Sequence, residues 1–186
     1  MGVLGGGRAT DDVTPFATPE SRRYVVGPSI ELGLPLRLAI EVDALYHRVG
    51  YEYGSTTSDP TYMERERANS WEVPLLLKYK VPVPAIKPFV EVGIAPRTIS
   101  GTVTDSVTST NPFTASYAGS YTYKANYPAS VGLVVGGGVQ LSVGRLQISP
   151  QVRFTQWTGN PIFEINGLES TRQQLDLLVG VGWKFR

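Results

Sequence analysis

The only histidine of the chain, His47, is the residue most suited to acid–base chemistry. It follows Asp43 by four residues, so both side chains point to the same face of an extended strand. An acid and a histidine within reach of each other can activate a nucleophile, which makes a hydrolytic site one hypothesis. The other interpretation, which we adopt, is that His47 is an ordinary polar residue near a strand end. We therefore expect no catalytic residue.

Cofactor and metal sites are not expected either. The chain has no cysteine, and one histidine without thiolates rarely builds a transition-metal site. The glycine strings Gly5–Gly7 and Gly136–Gly138 lack the flanking residues of a phosphate-binding loop that opens a helix, so we interpret them as strand glycines. The run Glu64–Arg67 is typical of a solvated surface.

Four tyrosines, Tyr117, Tyr121, Tyr123 and Tyr127, lie among serines and threonines in one polar segment. Rigid aromatic rings mixed with adaptable polar side chains are typical of recognition surfaces. An ordinary exposed surface would have the same composition. The sequence therefore leaves open whether this segment binds a ligand.

Composition limits the class of protein. The 186 residues fit one domain, 1–186, and no stretch has the composition of a linker. A net charge of +1 argues against nucleic acid as a partner. No apolar run approaches the roughly 18 residues of a membrane-spanning helix. The first twenty residues lack the features of a signal peptide, and we expect that one was removed or lies upstream. The sequence does not indicate the oligomeric state.

Side chains alternate with a period of two along most of the chain, the pattern of β-strands. Val3–Ala9 gives a short, glycine-rich first strand, which we expect to be truncated because a transmembrane strand uses about nine to eleven residues. Prolines fall within strands at Pro28, Pro74, Pro96 and Pro150, where we expect bulges. The other seven strands are predicted at 24–34, 36–47, 71–80, 87–97, 131–142, 145–155 and 174–185.

Short and long connections alternate along the chain. The short ones are predicted near 33–35, 82–86 and 143–145, and the long ones near 11–22, 54–69, 105–129 and 159–171. An up-and-down barrel places all short turns at one end and all long loops at the other. The sequence therefore predicts an all-β fold, an eight-stranded antiparallel barrel, with the asymmetry of outer-membrane barrels.

Aromatic residues indicate that the apolar face of this barrel points outward, to lipid. Trp71 and Tyr79 are eight residues apart, which gives roughly 20 Å of height, close to the apolar band of a transmembrane barrel. The alternate face carries glycines and charges of both signs, as a narrow lumen requires. A soluble, lipocalin-like barrel that binds a ligand inside is the alternative. The predicted aromatic girdles comprise Tyr24, Tyr46, Trp71 and Phe154 at the loop end, and Tyr79, Trp183 and Phe185 at the turn end.

The charged residues of the alternate face match in pairs. Pairing the strands around the 82–86 turn sets Lys78 opposite Glu91, and Glu72 opposite Arg97. Opposed charges stabilise one another, whereas an unpaired charge in a crowded interior is costly. We therefore predict a lumen charge network that leaves no wide water column. Its predicted members are Glu41, Glu72, Lys78, Glu91, Arg97, Arg153 and Asp176, with Arg153 opposite Asp176 around the last long loop.

The eight-strand pattern, the loop asymmetry and the closing strand Leu175–Phe185 resemble the small OmpA-like outer-membrane β-barrel domains over nearly the whole chain. In that family the last strand ends in an aromatic residue, whereas here Arg186 follows Phe185.

The resemblance implies a non-enzymatic integral protein of the bacterial outer membrane. Membrane lipids would surround its barrel, and its loops would serve surface recognition or envelope integrity. It also supplies the alternative, a lipid-modifying outer-membrane enzyme that uses histidine and serine. Here His47 is followed by Arg48 and Val49, not by the His-x-Ser spacing of the deacylases.

Overall fold

The computed structural model describes residues 1–10, 18–55, 59–81, 83, 86–109, 116–158, 164–165, 168–169 and 171–184. Within these ranges the fold is all-β, and no helix in them is both long and apolar enough to cross a bilayer.

Eight antiparallel strands build the structure, three of them in two parts. Shorter elements are the 3-10 turn Pro35–Arg37 and the two-residue strands Thr18–Pro19, Glu164–Ile165 and Leu168–Glu169. The strands are β1 (Gly2–Arg8), β2 (Tyr24–Gly33), β3 (Leu38–Asp43 and Leu45–Ser55), β4 (Thr61–Glu72 and Leu75–Lys80), β5 (Ile86–Ser109), β6 (Tyr117–Asn126 and Ser130–Val143), β7 (Leu146–Thr158) and β8 (Gln173–Trp183).

The strands close into a barrel. Each strand pairs with the next along the chain, and β1 pairs with both β2 and β8. Leu4 of β1 accordingly lies opposite Gly27 on one side and Gly180 on the other. Because every strand has two neighbours, the membrane-spanning part has no free edge. The predicted eight-stranded up-and-down topology is confirmed.

The short connections lie at one end of the barrel, as predicted, and face the periplasm. Gly144 has a φ of +62° in the tight turn between β6 and β7, a conformation that side chains disfavour. The three short turns keep neighbouring strands in fixed register.

Proline does not create the expected bulges. The carbonyl of Pro28 accepts a hydrogen bond from the amide of Ala44, the residue that separates the two parts of β3. The carbonyl of Pro96 accepts one from Val73, in the gap between the parts of β4. The amide and carbonyl of a residue face the same neighbour in an antiparallel pair, so the missing donors of Pro28 and Pro96 each face a gap in the adjacent strand. The register is identical on both sides of these gaps, so no extra residue is inserted.

The apolar face of the barrel points outward. Leu75 is 47% exposed and Leu177 is 53% exposed, while their neighbours Leu76 and Leu178 are buried inside. This arrangement rules out the lipocalin-like alternative, because the uniform apolar band faces away from the interior. Inside, two groups of apolar side chains accompany buried charges. They are Leu4, Val25, Leu45 and Leu178, and Leu76, Ala95, Val134 and Trp157.

Strands β3 to β6 continue far beyond the loop-end aromatic residues. Their outer parts, residues 48–55, 61–70, 98–109 and 117–126, form a continuous antiparallel sheet, here named the outer sheet. Thr18–Pro19 pairs with its β3 edge. The prediction of loops over 54–69 and 105–129 is therefore wrong for most of these residues. They pair through the backbone although polar residues occupy both faces, so the apolar alternation is missing.

Candidate functional site

Arg153 of β7 is the centre of an ion network inside the barrel. Its guanidinium lies 2.7 Å from Glu91, 2.7 Å from Asp43 and 2.6 Å from Glu41, one nitrogen for each carboxylate. All four side chains are buried. A planar guanidinium presents several donors in a fixed fork, which suits it to bridging separate carboxylates.

Lys78 of β4 extends the same cluster. Its ammonium lies 2.7 Å from Glu41 and 3.3 Å from Glu91, and 4.3 Å from the centre of the Phe89 ring. Toward the periplasm, Lys80 bonds Glu31 and donates to Gln140 at 3.0 Å. Glu41 and Glu91 therefore each bridge two cations.

A second cluster surrounds Arg8 of β1. Its guanidinium lies 2.9 Å from Glu72 and 3.0 Å from Asp176, and the amide of Gln174 donates to both carboxylates. The indole of Trp157 donates to Gln174 at 2.9 Å. Uncharged donors thus complete the hydrogen bonding of these two buried carboxylates.

Arg97 lies beside this cluster. Its guanidinium stacks 3.6 Å from the centre of the Trp157 ring, and its Nε donates to Ser130 at 3.2 Å. Stacking on an indole face stabilises a desolvated guanidinium.

The predicted ladder positions occur, but in one case the two side chains have other partners. Lys78 lies opposite Glu91 and pairs with it. Arg97 lies opposite Glu72, as predicted, and Arg8 bonds the same Glu72 carboxylate. Arg153 lies opposite Asp176, yet it reaches across the lumen instead, and Asp176 pairs with Arg8.

Arg8, Asp43 and Gln174 are members of the network that sequence reasoning missed. Arg8 lies opposite Asp176 across the β1–β8 pair. No hairpin connects these two strands, so no turn in the sequence defines their register. The sequence pattern relates Asp43 only to His47, four residues further along the same strand face.

His47 and Asp43 have different partners. The ring nitrogen Nδ1 of His47 lies 3.2 Å from the carbonyl oxygen of Tyr24, whereas the Asp43 carboxylate bonds Arg153. Both side chains are buried in the inward face. Within the described part of the chain, no three histidines or carboxylates are grouped as a metal site would require.

Three loop-end aromatic residues form a contiguous cluster on the outer surface. The ring centres of Tyr24 and Tyr46 are 6.5 Å apart, and those of Tyr46 and Trp71 are 5.3 Å apart. Tyr46 also donates from its hydroxyl to Asn69 at 2.7 Å. Phe154 is exposed on β7, and Tyr79 and Trp183 are exposed near the periplasmic ends of β4 and β8. Phe185 lies outside the described residues.

A buried carboxylate lies within the outer sheet. Glu66 is 1% exposed and accepts a hydrogen bond from the hydroxyl of Tyr127. The pKa of Glu66 is raised to about 7, because burial and, less strongly, the neighbouring Glu64 outweigh the lowering effect of the Tyr127 and Tyr51 hydroxyls. Tyr51 donates to Glu64. The predicted solvated charge run is therefore wrong for Glu66, which points inward.

Comparisons with known proteins agree with this architecture. The model of the outer membrane protein beta-barrel domain family matches residues 17–156. The comparison with curated proteins gave no match.

Among solved structures, Neisserial surface protein A is 15% identical, with 99% of this chain and 94% of that chain covered and a TM-score of 0.50. Ail of Yersinia pestis is 9% identical over 99% of this chain and 97% of that one, with a TM-score of 0.42. Ail in complex with the heparin analogue sucrose octasulfate is 11% identical over 99% of each chain, with a TM-score of 0.41. The family match covers most of the chain. The chain therefore belongs to the outer membrane protein beta-barrel domain family and is an integral protein of the bacterial outer membrane.

Proposed function

We propose that this chain is a non-enzymatic outer-membrane protein whose barrel is filled by side chains and supports an extracellular sheet. The observation that carries the proposal is the contact of Arg153 with three carboxylates of β3 and β5 inside the lumen. An eight-stranded barrel is just wide enough for side chains to fill, so a charge cluster that bridges its walls leaves no continuous water path. The closed strand cycle from Gly2 to Trp183 supports a single barrel domain.

Solute uptake into proteoliposomes tests this function. Vesicles that contain the purified protein are diluted into an iso-osmotic solution of a small sugar, and swelling is followed by light scattering. We expect vesicles that contain the protein to swell as slowly as protein-free vesicles. Vesicles that contain a general porin swell rapidly. Rapid swelling with the unmodified protein would show an open pore and refute the filled lumen.

The absence of enzymatic activity is a separate part of the proposal. It is supported by the engagement of Asp43 with Arg153, which occupies the acid that a His47-based site would use. The lipid A of cells that express the chain, analysed by mass spectrometry, should carry the same acyl chains with the unmodified protein and with His47→Ala. A change of acylation that depends on His47 would establish the lipid-modifying alternative.

The outer sheet is proposed to serve surface recognition. Tyr121 is 67% exposed and Tyr117 is 52% exposed, and the rings of Tyr121 and Tyr123 stack with centres 5.8 Å apart. Exposed, preorganised aromatic rings suit the binding of glycans and proteins. Cells that display the chain should bind a glycan or matrix-protein array more strongly than cells with Tyr121→Ser. If both kinds of cell bound every ligand of the array equally, Tyr121 would have no role in recognition, and the function would lie in the barrel.

A further inference from the structure

Four cationic side chains form a band on the outward surface of the outer sheet. The cationic band consists of Arg22, Arg48, Arg67 and Lys124, all exposed. The amide of Arg22 donates to the carbonyl of Arg48 at 2.9 Å, so these residues are neighbours. Arg67 lies opposite Thr102, and Thr102 lies opposite Lys124. The band thus crosses five adjacent backbone segments, about 19 Å at ~4.8 Å per strand.

The cationic band lies directly beyond the aromatic cluster of Tyr24, Tyr46 and Trp71. Arg48 follows Tyr46 by two residues and Arg67 precedes Trp71 by four, which corresponds to roughly 7 Å and 13 Å along the strands. Each pair shares one face of its strand. Aromatic girdles lie at the level of the lipid headgroups. The cations are therefore at the height of the headgroup phosphates and sugars.

No carboxylate among the described residues forms a salt bridge with a member of the cationic band. Glu20, which lines a pocket with Arg22, Arg48 and Arg67, bonds Arg65 through both of its oxygens. Lys124 has Thr102 and Asn126 beside it. The band therefore keeps its positive charge available to an external anion.

Two open pockets lie along the band and share Arg67. The first, about 470 Å³, is lined by Arg22, Arg48, Arg65 and Arg67 with Glu20 as its one acid. The second, about 370 Å³, is lined by Arg67, Asn69 and Lys124 with backbone and hydroxyl groups. Arginine binds phosphate oxygens through two parallel hydrogen bonds, which makes such pockets suited to phosphate groups.

We infer that the cationic band binds the phosphate groups of a lipid A-type glycolipid in the outer leaflet. The two pockets would take the two phosphates of one headgroup, and the aromatic cluster below would pack against its acyl chains. A soluble polyanion would share the phosphate or sulfate chemistry. The position of the band, beside the girdle and on the lipid-facing surface, favours a ligand anchored in the membrane.

Native mass spectrometry of the full chain in nanodiscs tests this inference. Nanodiscs of phosphatidylcholine are doped with diphosphoryl lipid A or with lipid A from which both phosphates were removed. We expect the diphosphoryl form to be retained at least about tenfold more tightly, with retention falling as salt rises. The double variant Arg48→Gln/Arg67→Gln should lose at least about tenfold in affinity for the diphosphoryl form.

The matched control is Arg37→Gln/Arg145→Gln, which removes two exposed arginines at the periplasmic end and should leave retention unchanged. Both variants are first shown to fold by far-ultraviolet circular dichroism. Equal retention of the two lipids, or equal retention by the two double variants, would overturn the inference. Displacement of lipid A by the same concentration of inorganic phosphate or of a heparin oligosaccharide would also overturn it, because the site would then serve a soluble anion.

Discussion

Arg153 of β7 and Asp43 of β3 form a salt bridge across the full width of the barrel, with 2.7 Å between Nη1 and Oδ2. Going round the wall in either direction, three strands separate β3 from β7. The contact therefore connects opposite walls and is not a ladder contact between neighbours. A buried ion cluster thus holds opposite walls together. The interior of the barrel therefore belongs to the folded core.

Removing the centre of this cluster should destabilise the barrel strongly. Arg153→Met leaves Glu41, Asp43 and Glu91 with too little positive charge in a buried site, which costs about 3–5 kcal/mol. The control Arg145→Met alters an exposed arginine in the β6–β7 turn and should change stability by less than about 0.5 kcal/mol. Urea unfolding from vesicles, followed by tryptophan fluorescence, measures both. Similar values for the two variants would show that the cluster does not hold the walls together.

The free-energy cost of placing an arginine on the lipid-facing surface should depend on its depth in the membrane. Leu75→Arg and Val179→Arg place a cation in the apolar band and should weaken folding into bilayers by about 2–4 kcal/mol. Met63→Arg lies on the same strand and face as Leu75 but in the outer sheet, so it should cost less than about 1 kcal/mol. Denaturant titration of folding into vesicles gives these values. An equal cost at residues 63 and 75 would contradict the assigned membrane boundary.

Because the pKa of Glu66 is raised, we expect the outer sheet to lose stability as the pH rises. Its pKa is about 7 in the folded protein, above the ordinary value of 4.5, so the folded state binds more protons between these pH values. Its contribution is fully favourable below about pH 4.5 and disappears as the pH rises through 7. Hydrogen exchange of the outer-sheet amides at pH 5 and pH 8, corrected for intrinsic rates, reports this change.

Glu66→Gln should flatten the pH response, because an amide still accepts from Tyr127 and does not titrate. Glu52→Gln on the adjacent strand should keep it. A Glu66→Gln protein with the full pH response would assign the effect to another group.

The barrel and its two faces could be predicted from the sequence because lipid imposes a strict rule. Every second residue of a spanning strand must be apolar, as in Val90, Val92 and Ile94, and the inward residues must fit a narrow interior. The register of β4 and β5 was also predictable, since a short turn fixes it and sets Lys78 opposite Glu91.

The rest of the ion network could not be predicted, because its contacts form only when the barrel closes. Register identifies ladder neighbours, but it does not show that the long Arg153 side chain reaches β3 on the opposite wall. The β1–β8 pair joins distant ends of the chain, so the Arg8–Asp176 contact has no local signal. The outer sheet escaped prediction because Thr104 pairs with Thr122 outside the membrane, where neither face must be apolar.

Ion conductance in planar lipid bilayers tests the filled lumen most directly. The unmodified protein is recorded beside Glu72→Ala and Arg97→Ala, which remove a carboxylate of the Arg8 cluster and the guanidinium stacked on Trp157. We expect no large, stable conductance steps from the unmodified protein, and small, frequent leaks from both variants. A steady conductance of porin size from the unmodified protein would contradict a barrel closed by its own side chains.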